Sequence, residues 1–175
     1  RIDALREYEI LDTPPDAFLD RLTTLATRHF RVPISLVTLV DRDRIWFKSV
    51  QGVSASEVSR DPGLCASAIQ SRELYVLKDA SKDERARDNP LVTGPLGVRF
   101  YAAAPLMSVE GYCLGTFNII DAQPRDFSDL ERADLAIFGA LAMERLELRL
   151  TKKRLMKGYE DLAREFPDID DRANP

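Results

Sequence analysis

From Phe18 to Phe30 the apolar residues recur with helical spacing. Phe18, Leu22, Leu25 and His29 share one face, with Ala26 and Phe30 one step around it. The preceding "LDTPPD" supplies a start signal: Thr13 is the expected N-cap, two prolines follow where a missing N–H costs least, and Asp16 sits at the helix's positive end. The pattern then changes to β-rich runs. "VPISLVTLV" and "RIWFKSVQG" flank a charged Arg42-Asp43 turn and predict a hairpin in which Leu39 faces Trp46. Asp61-Pro62 predicts a capped short helix through Cys65 and Ile69. "LYVLKD" is a short strand, and Ser81 with Glu84 forms a capping box for another short helix ending before Asn89-Pro90. "VRFYAAAPLMS" and "YCLGTFNIID" predict a second hairpin about Glu110-Gly111. A second capping box, Ser128 with Glu131, launches a helix over about 128–163, roughly 50 Å long at 1.5 Å per residue.

Two hairpins between terminal helices predict an α+β fold: a central antiparallel sheet with the N- and C-terminal helices on one face. Two-residue closure at Glu110-Gly111 makes opposed residue numbers sum to 221, so Pro105 meets Thr116, Ala103 meets Asn118 and Tyr101 meets Ile120. Side-chain alternation then puts Phe100, Ala102, Ala104, Gly115, Phe117 and Ile119 on one face, small and apolar enough for close helix packing. The other face carries Arg99, Tyr101, Ala103, Pro105, Thr116 and Asn118. Sparse polar groups over a partly apolar floor describe a ligand pocket, with room left by alanine and proline. A second reading stands beside it, in which Arg99 and Tyr101 only pin the preceding loop. If Arg99 does face a ligand, its guanidinium fork suits a carboxylate or phosphate.

The bulk properties narrow the function. The chain has 175 residues, enough for one domain with an appendage, and a net charge of -4 that invites neither nucleic acid nor an anionic membrane. No apolar run reaches the ~18 residues of a membrane span, and no signal peptide is evident at the start. Its two cysteines, Cys65 and Cys113, match no metal spacing, so a reducing cytoplasmic compartment is the expectation. The lone His29 lies on the apolar stripe of the first helix, away from any pocket, which favours a packing role over ligation. No Gly-rich phosphate loop, carboxylate pair or Ser-His-Asp arrangement is present, and the chain is expected not to be an enzyme.

"ALREYEILDTPPD", "VPISLVTLVDRDRIWFKS", "LCASAI", "DNPLVTGPLGVRFYAAAPL" and "GYCLGTFNIIDAQPRDFSDLE" occur in this order from about Ala4 to Arg149. Together they resemble the GAF family of small-molecule sensor domains, in particular the group found in bacterial signalling proteins. The resemblance implies five or six antiparallel strands, terminal helices on one side and a ligand cavity roofed by the middle helices on the other. The candidate ligand-binding residues are Arg99, Tyr101, Ala103, Thr116 and Asn118 of the face read from strand alternation, together with Trp46, which suits core or cavity wall, Cys65, and Asp79, which alternatively bonds a loop or caps a helix. The scattered Asn-Lys-Phe-Asp-Glu signature of the family's cyclic-nucleotide binders has no counterpart, and Cys65-Ala66-Ser67 stands where related sequences often show the Cys-Ala-His of bilin attachment. The ligand, and any cofactor, stay unnamed.

The resemblance also implies a homodimer through the terminal helices. In the last helix Leu141, Leu148, Leu155 and Leu162 recur every seven residues, whereas Glu144, Thr151 and Gly158 weaken the second row of a seam. Residues 1–150 are therefore expected to form the sensor domain and 151–175 a helical extension ending in a disordered or linker segment. The expected partners are an unidentified small molecule, a second copy, and an effector such as a kinase or cyclic di-GMP enzyme. Two alternatives remain: a redox enzyme of the free methionine sulfoxide reductase type using Cys65, and a ligandless dimerisation module. A thiol near a helix start is the more reactive kind, although a small buried cysteine is ordinary packing.

Overall fold

The computed structural model describes residues 1–165, so the expectation of a disordered or linker segment at 166–175 falls outside the described residues. The elements run α1 (Ile2–Glu7), α2 (Ala17–Phe30), β1 (Ile34–Val40), β2 (Arg44–Gln51), β3 (Glu57–Ser59), α3 (Leu64–Ala68), β4 (Tyr75–Leu77), α4 (Pro90–Thr93), β5 (Phe100–Met107), β6 (Cys113–Asp121) and α5 (Asp129–Glu165). The six strands form one antiparallel sheet in the order β3-β2-β1-β6-β5-β4. Its two hairpins join through β1 and β6, with Ile34 opposite Ile120 and Leu39 opposite Gly115. Gly115 allows that join, since a Cβ there would lie 1.9 Å from the Thr38 carbonyl oxygen.

Every residue of β1 is buried, because the sheet is covered on both faces. Leu19, Leu22, Ala26 and Phe30 of α2 and Leu135, Phe138, Ala142, Met143 and Leu146 of α5 share one core with Val37, Leu39, Phe100, Ala102, Ala104, Phe117 and Ile119. The terminal helices thus share a sheet face. A second core on the opposite face joins Leu36, Val40, Ile45, Tyr101 and Ala103 to Leu64, Cys65, Ala68 and Val92 of the middle helices.

Register follows the expected sum of 221 from Tyr101↔Ile120 to Leu106↔Gly115 and then slips, pairing Met107 with Cys113. The Ser108 amide donates to the Tyr112 carbonyl at 2.9 Å, which makes the connection longer than two residues. In the other hairpin Leu39 faces Trp46 as expected.

Three helix starts depart from local expectation. Asp16, not Thr13, caps α2, accepting from the Phe18 and Leu19 amides, while the Thr13 hydroxyl donates to the Ile10 carbonyl. Gly63, not Asp61, precedes α3. Residues 81–88 form turns in place of a capped helix. Asp79 takes the Ser81 amide and hydroxyl, Asp83 takes the Arg85 amide, and the helical turn begins only at Pro90, capped by Asn89. The Ser128–Glu131 box forms reciprocally: the Ser128 amide donates to Glu131 Oε2 at 2.8 Å and the Glu131 amide to Ser128 Oγ at 3.3 Å.

Candidate functional site

The face of the sheet opposite the terminal helices holds a cavity of about 260 Å³. Its floor is built from alternate positions of four strands: Ile34 and Leu36 of β1, Ile45 and Phe47 of β2, Tyr101 of β5 and Ile120 of β6. Leu64 and Cys65 of α3, the 53–55 segment, and Leu91 with Leu96 complete the lining around that floor. Ala55 is exposed and Leu96 retains 38% exposure, so these two segments frame the opening.

Polar groups converge at one side of the floor. The Tyr101 hydroxyl donates to Cys65 Sγ at 3.2 Å, tying sheet to wall, and Asn118 Nδ2 reaches the same sulfur at 3.6 Å. Asn118 Nδ2 also donates to Thr116 Oγ1 at 3.0 Å, and the Thr116 and Thr38 hydroxyls meet at 2.8 Å. Burial, reinforced by Cys65, pushes the Tyr101 phenol well above its ordinary pKa, so it stays a protonated donor. Asn118 Oδ1 is buried without a hydrogen-bond partner among the described residues. The network fixes the conformation of the floor. Its chemistry is that of orientation; it contains no carboxylate or imidazole.

The eight candidate residues separate into distinct places. Tyr101 and Cys65 line the cavity, while Ala103, Thr116 and Asn118 are fully buried in the floor behind it. Arg99 turns to the backbone: Nη1 donates to the Val92 and Val98 carbonyls, both at 3.0 Å, which is the loop-pinning arrangement. A carboxylate or phosphate therefore does not find its guanidinium in the cavity. Trp46 belongs to the helix-side core, with Lys48 Nζ 5.5 Å from its ring centroid. Asp79 holds the 81–82 turn through Ser81 and Lys82, outside the cavity lining. The stripe Phe18, Leu22, Leu25 and His29 is not the buried face of α2: Phe18, Leu25 and His29 are exposed, and Leu19, Leu22, Ala26 and Phe30 face the core instead. His29 still lies across the sheet from the cavity, with Nε2 2.7 Å from Asp134 Oδ2 and its ring packed on Phe30 and Phe138.

Cys65 and Cys113 are both free. Cys113 lies at the base of the β5–β6 hairpin, where burial raises its thiol pKa. Among the described residues no group of three His, Cys, Asp or Glu could hold a metal, and no helix is long and apolar enough to cross a membrane. Most of the lining carries no distinctive sequence signal: Ile34, Leu36, Phe47, Val58 and Leu91 look like any core aliphatic or aromatic. The usable signal was that β1 is apolar on both faces, which requires a cover on each.

A family model described as "GAF domain" matches residues 14–146. The chain belongs to the GAF family. Over 138 residues it is 36% identical to a protein named as a cyclic di-GMP phosphodiesterase of Pseudomonas aeruginosa, a match covering 78% of this chain and 24% of that protein. This GAF chain thus spans about a quarter of that relative. Two solved structures share the fold at low identity. The free methionine-R-sulfoxide reductase of Neisseria meningitidis has a TM-score of 0.65 at 16% identity, covering 84% of this chain and 87% of that one. A putative GAF sensor protein of Burkholderia vietnamiensis has a TM-score of 0.60 at 15% identity, covering 87% and 91%.

Proposed function

We propose that this GAF chain is a small-molecule-binding regulatory module of a bacterial signal-transduction protein, which passes the state of its cavity to an effector or dimer partner through α5. One observation carries the reading: β5 serves both sites. Tyr101 faces the cavity, whereas Ala102 and Ala104, one residue either side of Ala103, belong to the core beneath α5. A ligand that moves this strand moves the surface on which the helix rests. The relative named a cyclic di-GMP phosphodiesterase supports an effector of that kind in the whole protein. A cytoplasmic setting accords with the two free thiols.

Assembly belongs to the same proposal. The last buried position of α5 is Leu150, which supports a sensor domain over 1–150 and an extension beyond it. Leu141, Leu148, Leu155 and Leu162 are 37, 60, 69 and 47% exposed, a row that a second copy of the helix would bury at roughly 0.5–2 kcal/mol per leucine before ordering costs. Native mass spectrometry of freshly purified chain tests both halves. A dimer carrying a co-purified small molecule supports the reading, and an empty monomer contradicts it.

A second reading rests on Cys65 lying in the cavity wall of a fold shared with a methionine sulfoxide reductase. Turnover of free methionine sulfoxide that Cys65→Ser abolishes would make the chain an enzyme. Complete inactivity removes that reading.

A further inference from the structure

The cavity also limits what it can hold. Of its fourteen lining residues eleven are aliphatic or phenylalanine, the other three are Ser54, Cys65 and Tyr101, and none is charged. The Tyr101 proton is committed to Cys65 Sγ, and Ser54 sits in the exposed segment at the opening. Neighbouring arginines are committed elsewhere: Arg99 to backbone carbonyls, Arg60 to the Asp41 and Arg42 carbonyls, and Arg85 to Asp83. An anion inside this cavity would lose its hydration and meet no cation, which is the costly case of an unpaired buried charge.

An apolar occupant faces the opposite balance. An apolar cavity of ~150 Å³ stays dry and accepts benzene. This one has about 260 Å³, room for a second fused ring. The lining of such a space lacks contact atoms on one side, so an occupant gains dispersion contacts and displaces little ordered water.

Resting on the regulatory reading above, we infer that the ligand is an uncharged, largely apolar organic molecule of about the size of a fused bicyclic arene, and that cyclic nucleotides and small carboxylates are not accommodated. Its one polar group, where present, lies toward Ser54 and the opening. The molecule passes between the 53–55 segment and Leu96, both at the rim.

The test is thermal unfolding of the intact chain with four probes: naphthalene, indole, benzoate and cyclic di-GMP. Naphthalene and indole are expected to raise Tm by roughly 5–10 °C at a hundredfold excess over Kd, and the two anions to leave it unchanged. Ala55→Trp places a large side chain at an exposed rim position. It should melt within about 2 °C of the parent without probe, as surface changes do, yet lose naphthalene affinity at least tenfold. Wild-type affinity in Ala55→Trp overturns the location. If Ala55→Trp fails to fold, Leu96→Trp asks the same question from the other side of the opening. Stabilisation by benzoate or cyclic di-GMP alone overturns the ligand class and leaves the regulatory reading standing. No shift with any of the four overturns the inference, and the regulatory reading falls with it only if native mass spectrometry also shows no co-purified molecule.

Discussion

Gly139 of α5 lies so close over Ala104 of β5 that a Cβ on Gly139 would sit 2.7 Å from the Ala104 Cβ. The small residues read from the sequence as a close-packing face are where the long helix meets the sheet. A methyl at Gly139 meets a group attached directly to backbone, so the clash cannot be relieved by swinging a side chain. Overpacking costs about 1–3 kcal/mol and the gain in helix propensity returns about 1 kcal/mol. Gly139→Ala is therefore expected to lower Tm, by up to roughly 4–8 °C at the upper end of the net cost. Gly158→Ala is the control: nothing lies within 4 Å of its added Cβ, and helical ellipticity should rise. A stabilising Gly139→Ala would show that the contact is loose.

Asp16 joins two helices: it caps α2, and Arg145 Nε of α5 donates to both its carboxylate oxygens, at 2.9 and 3.2 Å. Burial alone would raise its pKa, but the hydrogen bonds from Arg145 and from the Leu19 and Phe18 amides outweigh it and hold the carboxyl below its ordinary value. A depressed folded pKa contributes stability that is complete above the unfolded value, about 3.9, and is lost as pH falls through the folded one. Asp16→Asn keeps a capping oxygen and removes the charge. Its stability deficit should be full at pH 7 and close as pH falls below about 4, whereas Asp16→Ala should lose a further ~1 kcal/mol of capping at every pH. Denaturant titrations at several pH values distinguish the two. A deficit for Asp16→Asn that persists at low pH contradicts the charge assignment.

Arg99 and Tyr101 are neighbours with separate tasks. Arg99→Ala removes the donor that holds the Val92 and Val98 carbonyls and should cost roughly 1–3 kcal/mol without altering naphthalene affinity. Tyr101→Phe keeps the ring in the cavity and loses the hydroxyl's bonds to Cys65 Sγ and Thr116, a cost of about 1 kcal/mol. Calorimetric unfolding and binding titrations of both variants check this. Loss of probe affinity in Arg99→Ala at unchanged Tm would return Arg99 to the ligand site.

For assembly, the cut must spare the core. Glu147 accepts from the Tyr8 hydroxyl and Leu150 is buried, so a chain ending at Leu146 would lose structural contacts. Ending after Thr151 removes exposed Leu155, Met156, Tyr159 and Leu162. Light scattering at tens of micromolar, about 6–8 kcal/mol of association, should find the intact chain dimeric and the shortened one folded but associating at least tenfold more weakly. Equal association of the two would move the interface off the extension.

What the sequence disclosed depended on how local the cause was. Alternation and a Gly-containing turn were enough to predict that Tyr101 faces Ile120, and the capping box at Ser128 and Glu131 lies within four residues. The slip after Leu106 depends on how the Ser108–Tyr112 segment closes. Thr13 lost the cap to Asp16, whose carboxylate also meets Arg145, 129 residues away. Ser81 and Glu84 form no box because Asp79 captures the Ser81 amide and hydroxyl first. In the site, the polar floor could be placed by strand register. The direction of the Arg99 guanidinium could not, because its acceptors include Val92 of α4. The aliphatic lining could not either, since Ile34 or Leu36 beside a cavity has the same chemistry as Val40 in a packed core.

The most direct test of the account is hydrogen exchange of the intact chain with and without saturating naphthalene. If β5 couples the cavity to the helix, exchange should slow along β5 and also in the core-facing part of α5, from Leu135 to Leu150, as well as around the cavity. Slowed exchange confined to the cavity's own segments, 53–65 and 91–101, with α5 unchanged would contradict transmission through β5.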